Sequence, residues 1–123
     1  MDLGLKDKVA LITGAGSQVG FGKGIAMTLA REGCDIVACD KDIEGAKKTA
    51  ADVKALGRKA MALNVDITKT AEVKKAVDAV LKDFGKIDIL INNAGVGTQP
   101  KPFVATTEEE WDTNINVNLR GTM

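Results

Sequence analysis

Four groups of residues in this chain have types and spacings suited to holding a ligand, and each follows an apolar run. The first is Thr13-Gly14-Ala15-Gly16-Ser17-Gln18-Val19-Gly20-Phe21-Gly22-Lys23-Gly24. Glycine turns the backbone through φ > 0 and puts no Cβ between the main chain and an approaching anion. A glycine-rich turn feeding a helix also offers free N–H groups, backed by the positive end of the helix dipole, to a phosphate. The second group is Asp40, ending the run 35–39, where a carboxylate can accept hydrogen bonds from ribose hydroxyls. The third is Asp66, after Val65. The fourth is Asn92-Asn93-Ala94-Gly95, directly after Ile91. Together they have the chemistry of a dinucleotide site, with pyrophosphate on the glycine turn and adenosine ribose on the carboxylate. A carboxylate at position 40 repels a 2′-phosphate, so NAD is favoured over NADP; Lys41 softens that preference without reversing it. Asp66 has two readings, as acceptor for the adenine amino group or as a cap for the helix that follows, and one does not exclude the other.

Other chemistries are excluded by composition. The chain has no histidine and no tyrosine. Without histidine there is no Ser-His-Asp or Cys-His catalysis and no Cys/His metal site, and no metal is expected. Cys34 and Cys39 are separated by about 16 Å of extended chain, too far for a disulfide, and read as small buried hydrophobes. Basic and acidic residues number 17 each, so the net charge is zero. No basic block appears, which argues against a nucleic-acid partner. The apolar runs are far shorter than a membrane span. The opening Met1-Asp2-Leu3-Gly4-Leu5-Lys6-Asp7 lacks the charged-then-apolar pattern of a signal peptide, so a cytoplasmic location is expected.

The elements that must position these groups follow a regular alternation. Strands are predicted at 8–13, 35–39, 59–65 and 87–91, and helices at 21–32, 42–56 and 69–83. Ile43, Ala46, Ala50 and Val53 recur at helical spacing, with Gly57 as a stop signal. Val73, Val77, Val80, Leu81 and Phe84 form an apolar stripe that should face a sheet. The fourth strand is apolar enough for burial on both faces, as a central parallel strand should be, but in this chain it is expected to be left as an unpaired, apolar edge. A loop with Gly95, Gly97, Pro100 and Pro102 follows, and a last helix begins near Thr107, where Glu108, Glu109 and Glu110 suit its dipole. This beat predicts an α/β fold: a Rossmann-type, doubly wound parallel sheet with helices on both faces and strand order 3-2-1-4. Ligands of such sheets bind outside the carboxyl ends of the strands, where strand order reverses. All four groups fall there.

The ordered set Thr13-Gly14, Asp40, Asn64-Val65-Asp66-Ile67 and Ile91-Asn92-Asn93-Ala94-Gly95 resembles the short-chain dehydrogenase/reductase family. The segment from Trp111-Asp112 through Ile115, Val117-Asn118-Leu119 and Gly121-Thr122 is similar to that family's fifth helix. The resemblance covers nearly the whole chain. It implies that Gly14, Ser17, Gln18, Gly20 and Gly22 belong to the pyrophosphate turn and that Asp40 holds the adenosine ribose. It places Asp66 and the backbone of Ile67 at adenine, and Asn93, Ala94 and Gly95 beside the nicotinamide-side ribose. Asn92 is expected to be structural, tying the fourth strand to its neighbours. Asn118 matches the family's catalytic asparagine, which holds a water in a proton relay.

Two departures qualify the resemblance. The glycines fit the family's turn only if Gln18-Val19 is a two-residue insertion, a spacing similar to the enoyl-reductase branch, which generally lacks the Asn-Asn-Ala-Gly block. The family's serine and Tyr-x-x-x-Lys acid/base group are also missing: Ser17 is the lone serine and lies in the turn. Residues 1–123 are therefore expected to be the N-terminal part of one NAD-binding domain. The parent would interconvert a secondary alcohol and a ketone and form homo-oligomers. The isolated chain should be inactive, with a last helix (Trp111, Ile115 and Leu119 on one face) that frays or self-associates. The loop 96–104 would supply one wall of the substrate site. The alternatives are a non-catalytic dinucleotide-binding or partner-completing module and, less favoured, an enoyl reductase.

Overall fold

The computed structural model describes residues 2–95 and 103–120. The elements alternate: β1 (Val9–Thr13), α1 (Phe21–Arg31), β2 (Asp35–Asp40), α2 (Ile43–Ala55), β3 (Ala60–Asn64), α3 (Thr70–Phe84) and β4 (Ile89–Ile91). A 3₁₀ turn (Phe103–Ala105) and α4 (Glu108–Asn114) follow, and α4 runs into a π-helical segment, Ile115–Arg120. The four strands form one parallel sheet in the order β3-β2-β1-β4. This is the predicted doubly wound topology. The strand order reverses at β1, which pairs with β2 on one side and β4 on the other.

The residue-by-residue alternation of the strands sorts the core into two layers. Ala10, Ile12, Ile36 and Ala38 face Ala26, Ala30, Ala46 and Val53 of α1 and α2. The alanines leave room for both helices close to the sheet. Val9, Leu11, Val37 and Cys39 point to the opposite face, where they meet Ala76 and Val80 of α3. Ile12, Ile36, Val37, Val53 and Val80 are fully buried, each contributing about 1.5–3 kcal/mol of transfer free energy. Each of the first three helices ends at a glycine in the left-handed region, Gly33, Gly57 and Gly85, with φ of 99°, 86° and 78°.

One packing expectation is met and one corrected. β4 is the apolar edge expected: Ile89 and Ile91 are half-buried and Leu90 is 57 % exposed. It pairs with β1 alone and is an edge among the described residues. It also begins later than position 87, because Asp88 Oδ2 accepts the Val9 N–H at 2.8 Å, so a side chain replaces the ladder there. On α3, Val80 is buried but Val73 and Leu81 are exposed; Ala76 makes the second close contact with the sheet. The apolar stripe is wider than the sheet surface beneath it.

Among the described residues, no helix is long and apolar enough to cross a membrane. Both cysteines are buried and unbridged. The loop residues 96–102, expected to wall a substrate site, lie outside the described residues, as do the side chains of Trp111 and Ile115. Leu119, on the same predicted face, is exposed.

Candidate functional site

The carboxyl ends of β1, β2 and β4 surround a crevice of about 290 Å³. Its walls include Gly14, Ser17 and Gly20 from the glycine turn and Asp40 and Lys41 after β2. Asp66 and Ile67 follow β3, and Asn93, Ala94 and Gly95 follow β4. The volume lies at the small end for ligand pockets and suits about one nucleoside, half a dinucleotide.

The turn and the Asn93 segment interlock through one hydroxyl. Thr13 Oγ1 accepts the N–H groups of Asn93 (3.1 Å) and Ala94 (3.0 Å). It donates to the Ile91 carbonyl at 3.4 Å. Asn93 Nδ2 donates to the Gly14 carbonyl at 3.2 Å. Asn93 therefore makes the tie expected of Asn92, whose side chain lines an apolar cavity between α3 and β4 instead. Gly14 has φ +69°, and a Cβ there would lie 2.8 Å from Asn93 Nδ2. Gly22 is buried in the first turn of α1; a Cβ would lie 2.4 Å from the Gly14 carbonyl oxygen. Gly22 thus sets the approach of α1 to β1 and does not line the crevice.

Asp40 stands at the mouth of β2. Its Oδ2 accepts the Gly16 N–H at 2.8 Å and its Oδ1 accepts the Asp42 N–H at 3.0 Å. A carboxylate has about four acceptor sites, so roughly two remain for ligand hydroxyls. Gly16 must lack a side chain, because a Cβ would lie 2.8 Å from Asp40 Cγ.

Gln18 turns away from the crevice. Its Nε2 donates to the Gly16 carbonyl and to the Gly45 carbonyl of α2, both at 3.0 Å. Gln18 thus lies against α2, and the next side chain, Val19, is in solvent.

Asp66 folds into its own turn: Oδ1 accepts the Thr68 hydroxyl at 2.6 Å and the Thr68 N–H at 3.0 Å. The Thr68 hydroxyl and then its N–H hold the carboxyl below the usual aspartate range. The N-cap of α3 is Lys69, so Asp66 does not cap the helix; it stiffens the turn that carries Ile67. Asn118 comes within reach of the Asn93 segment through the π-helical stretch: a Cβ on Gly95 would lie 3.1 Å from Asn118 Oδ1.

Sequence reading overlooked Cys39, Val65 and Val117 as crevice walls; Lys41, read from sequence as a neighbour of Asp40 that softens the NAD preference, lines the crevice with them. Burial pushes the Cys39 thiol up to about 12, with Asp40 adding to the rise, so this wall stays uncharged at neutral pH. Thr49 was missed as well: fully buried on α2, it donates to the Ala15 carbonyl at 2.7 Å.

These residues fit a dinucleotide on structural grounds: the carboxylate retains acceptor capacity, and the N-terminus of α1 has no side-chain cap and no acidic residue in its first turn. Comparison with known proteins agrees. The short chain dehydrogenase family model matches residues 8–123. The 3-oxoacyl-[acyl-carrier-protein] reductase of Thermotoga maritima is 38 % identical over 117 residues, which are 95 % of this chain and 46 % of the relative. The crystal structure of a 3-ketoacyl-(acyl-carrier-protein) reductase from Brucella melitensis complexed with NADH matches with a TM-score of 0.87 and 46 % identity, over 95 % of this chain and 46 % of that one. An NAD⁺-bound xylitol dehydrogenase matches with a TM-score of 0.91 and 35 % identity, over 96 % and 45 %. The chain thus spans about half the length of the relatives it matches, and it belongs to the short-chain dehydrogenase family.

Proposed function

We propose that this chain is the NAD-binding part of an oxidoreductase that interconverts a secondary alcohol and a ketone. The observation that carries the reading is the carboxylate of Asp40 at the crevice mouth, opposite an uncapped helix N-terminus. In this reading Gly14, Ser17 and Gly20 border the pyrophosphate, and the first N–H groups of α1 complete its shell. Asp40 takes the adenosine ribose hydroxyls and disfavours a 2′-phosphate, so NAD is preferred to NADP. Asp66 and Ile67 flank adenine. Asn93, Ala94 and Gly95 carry the ligand toward its reactive ring, held in place by the Thr13 hydroxyl. The bound nicotinamide supplies hydride transfer. Asn118 holds a water for the proton relay of a complete site. The chain's residues bind and orient. With no tyrosine and one serine, spent in the turn, they include no alcohol acid/base of the family's kind. The same absence is what favours a second reading, a non-catalytic dinucleotide-binding module. Homo-oligomer formation belongs to the first reading.

Amide NMR titration with NADH and NADPH tests the binding. NADH should bind more tightly and perturb Gly14, Gly16, Asp40 and Ala94, and Asp40→Ala should erase the preference. Equal affinity of the unsubstituted chain for both would overturn the cofactor assignment. NADH formation from an alcohol by the purified chain would overturn the assignment of a purely binding role. A serine and a Tyr-x-x-x-Lys encoded downstream would favour the oxidoreductase over the module.

A further inference from the structure

We infer that Gln18 is a positioning residue for cofactor selectivity: through its amide, the glycine turn is clamped to α2, and the clamp aims the Gly16 N–H at Asp40. The inference rests on the reading of the crevice as a dinucleotide site, but concerns a side chain that does not line it.

The amide orientation is fixed by its neighbours. Lys23 Nζ can only donate, and it donates to Gln18 Oε1. Lys23 is itself held by Asp52 of α2 at 2.6 Å and is only 18 % exposed. Gln18 Nε2 must then face acceptors. It has the carbonyls of Gly16 and Gly45, each at 3.0 Å, with Thr49 Oγ1 a long third at 3.4 Å. The two good acceptors belong to different elements, so the amide joins turn to helix. The junction is tight, since a Cβ on Gly45 would lie 2.2 Å from the Gly16 carbonyl oxygen.

Gly16 is therefore gripped at both ends of its own residue. Its carbonyl is held by Gln18, and its N–H points to Asp40 Oδ2 at 2.8 Å. Asp40 Oδ2 is committed to that N–H and Oδ1 to the Asp42 N–H; together they set the carboxylate plane and leave about two lone pairs for ribose hydroxyls. If the turn is released from α2, only the Asp42 N–H still holds the carboxylate, and its plane is free to turn about that one contact. The geometry that accepts two hydroxyls and rejects a phosphate is then lost. A long glycine-rich turn needs such an anchor, because added loop length adds conformers. Position 18 supplies it.

The test compares Gln18→Leu, which keeps bulk and removes the amide, with Lys23→Met, which removes the donor that sets the amide's orientation. The probes are NADH and NADPH, titrated separately and followed by amide NMR, with Gly16 N–H exchange measured without ligand. Gln18→Leu should lower the NADH-over-NADPH affinity ratio about two- to tenfold, the weight of one anchoring hydrogen bond. Gly16 N–H exchange should accelerate by a similar factor. Lys23→Met should shift both in the same direction by less. A merely structural Gln18 would lower thermal stability and leave the ratio unchanged; that result, in whichever variant folds, overturns the inference alone. Absence of dinucleotide binding by the unsubstituted chain overturns the cofactor reading and the inference with it.

Discussion

Replacing Thr13 by valine removes one oxygen and almost no volume, yet that oxygen joins the ends of β1 and β4. Thr13 Oγ1 accepts N–H groups from both Asn93 and Ala94, at 3.1 and 3.0 Å. Thr13→Val leaves two donors without an acceptor in a partly buried turn. A net hydrogen bond is worth about 0.5–1.5 kcal/mol, and an unpaired buried donor costs about 1–3 kcal/mol. Because the turn is only partly buried, water reaches part of the gap, and the low end of that range, about 1 kcal/mol, applies to each donor. The expected total is about 2 kcal/mol. For a chain of this size that is roughly 6–12 °C in melting temperature, read by circular dichroism. Thr13→Ser keeps the oxygen and loses a methyl, and should cost less than about 1 kcal/mol, a small-volume change. The Asn93 and Ala94 amide resonances should move in the valine variant and stay in the serine variant. NADH affinity should fall with them, because that segment walls the crevice. Serine and valine variants of equal stability would refute the argument, since the hydroxyl would then carry none of the effect.

Three shorter predictions follow from the same geometry. Gly22→Ala should destabilise the chain by about 1–2 kcal/mol: helix propensity gains about 1 kcal/mol, but the new Cβ meets the Gly14 carbonyl at 2.4 Å and overpacking against backbone costs more. Gly24→Ala in the same helix meets nothing within 4 Å and should stabilise by up to about 1 kcal/mol, so opposite signs in urea denaturation are the check. Asp7, Asp66 and Asp88 are held below the ordinary value of 3.8 by hydrogen bonds from Arg58, from the Thr68 hydroxyl and from the Val9 N–H respectively. Their contribution is therefore full above that value and is lost as pH falls through the lower folded-state values. The melting temperature should be flat near neutrality and fall below about pH 4, and Asp88→Asn should make the fall shallower. Leu90→Lys places a charge on the β4 edge where the side chain is 57 % exposed; it should cost little stability and reduce self-association in sedimentation equilibrium.

The strands and helices were legible because the period of apolar residues switches from two to between three and four at each boundary. The strand order followed from that beat and from handedness. What sequence could not give was the direction of neighbouring side chains. Asn92 and Asn93 are the same residue type one position apart, and adjacent side chains in extended chain point to opposite sides. The pairing of Ile91 with Ile12 decides that Asn93, not Asn92, reaches back to Gly14. Asp66 was legible as a polar group after β3. Its preference for a local turn over the cap of α3 depended on the Thr68 hydroxyl two residues away. β4 read as fit for burial on both faces because Ile87-Asp88-Ile89-Leu90-Ile91 is apolar, and as an unpaired edge in this chain. Apolarity reports suitability for burial, whereas burial itself requires neighbours on both sides, and among the described residues β4 has one.

Gln18 shows the same limit at the site itself. From sequence it was one more polar residue in a phosphate turn, with as much claim on the ligand as Ser17. Its direction is set by Lys23, and the position of Lys23 is set by Asp52, which reaches it only after α1 and α2 pack side by side. The crevice therefore has two classes of determinant. Gly14, Asp40 and Asn93 act where they stand and announce themselves by type and place. Thr13, Gln18 and Thr49 act through main-chain carbonyls and N–H groups that carry no sequence label. A backbone group serves any residue type, so its partner is found only by asking where each buried hydrogen-bonding group goes. The polarity of the crevice follows from that division: its walls are largely main chain held from behind, and Asp40, Lys41 and Asp66 are left to set its charge.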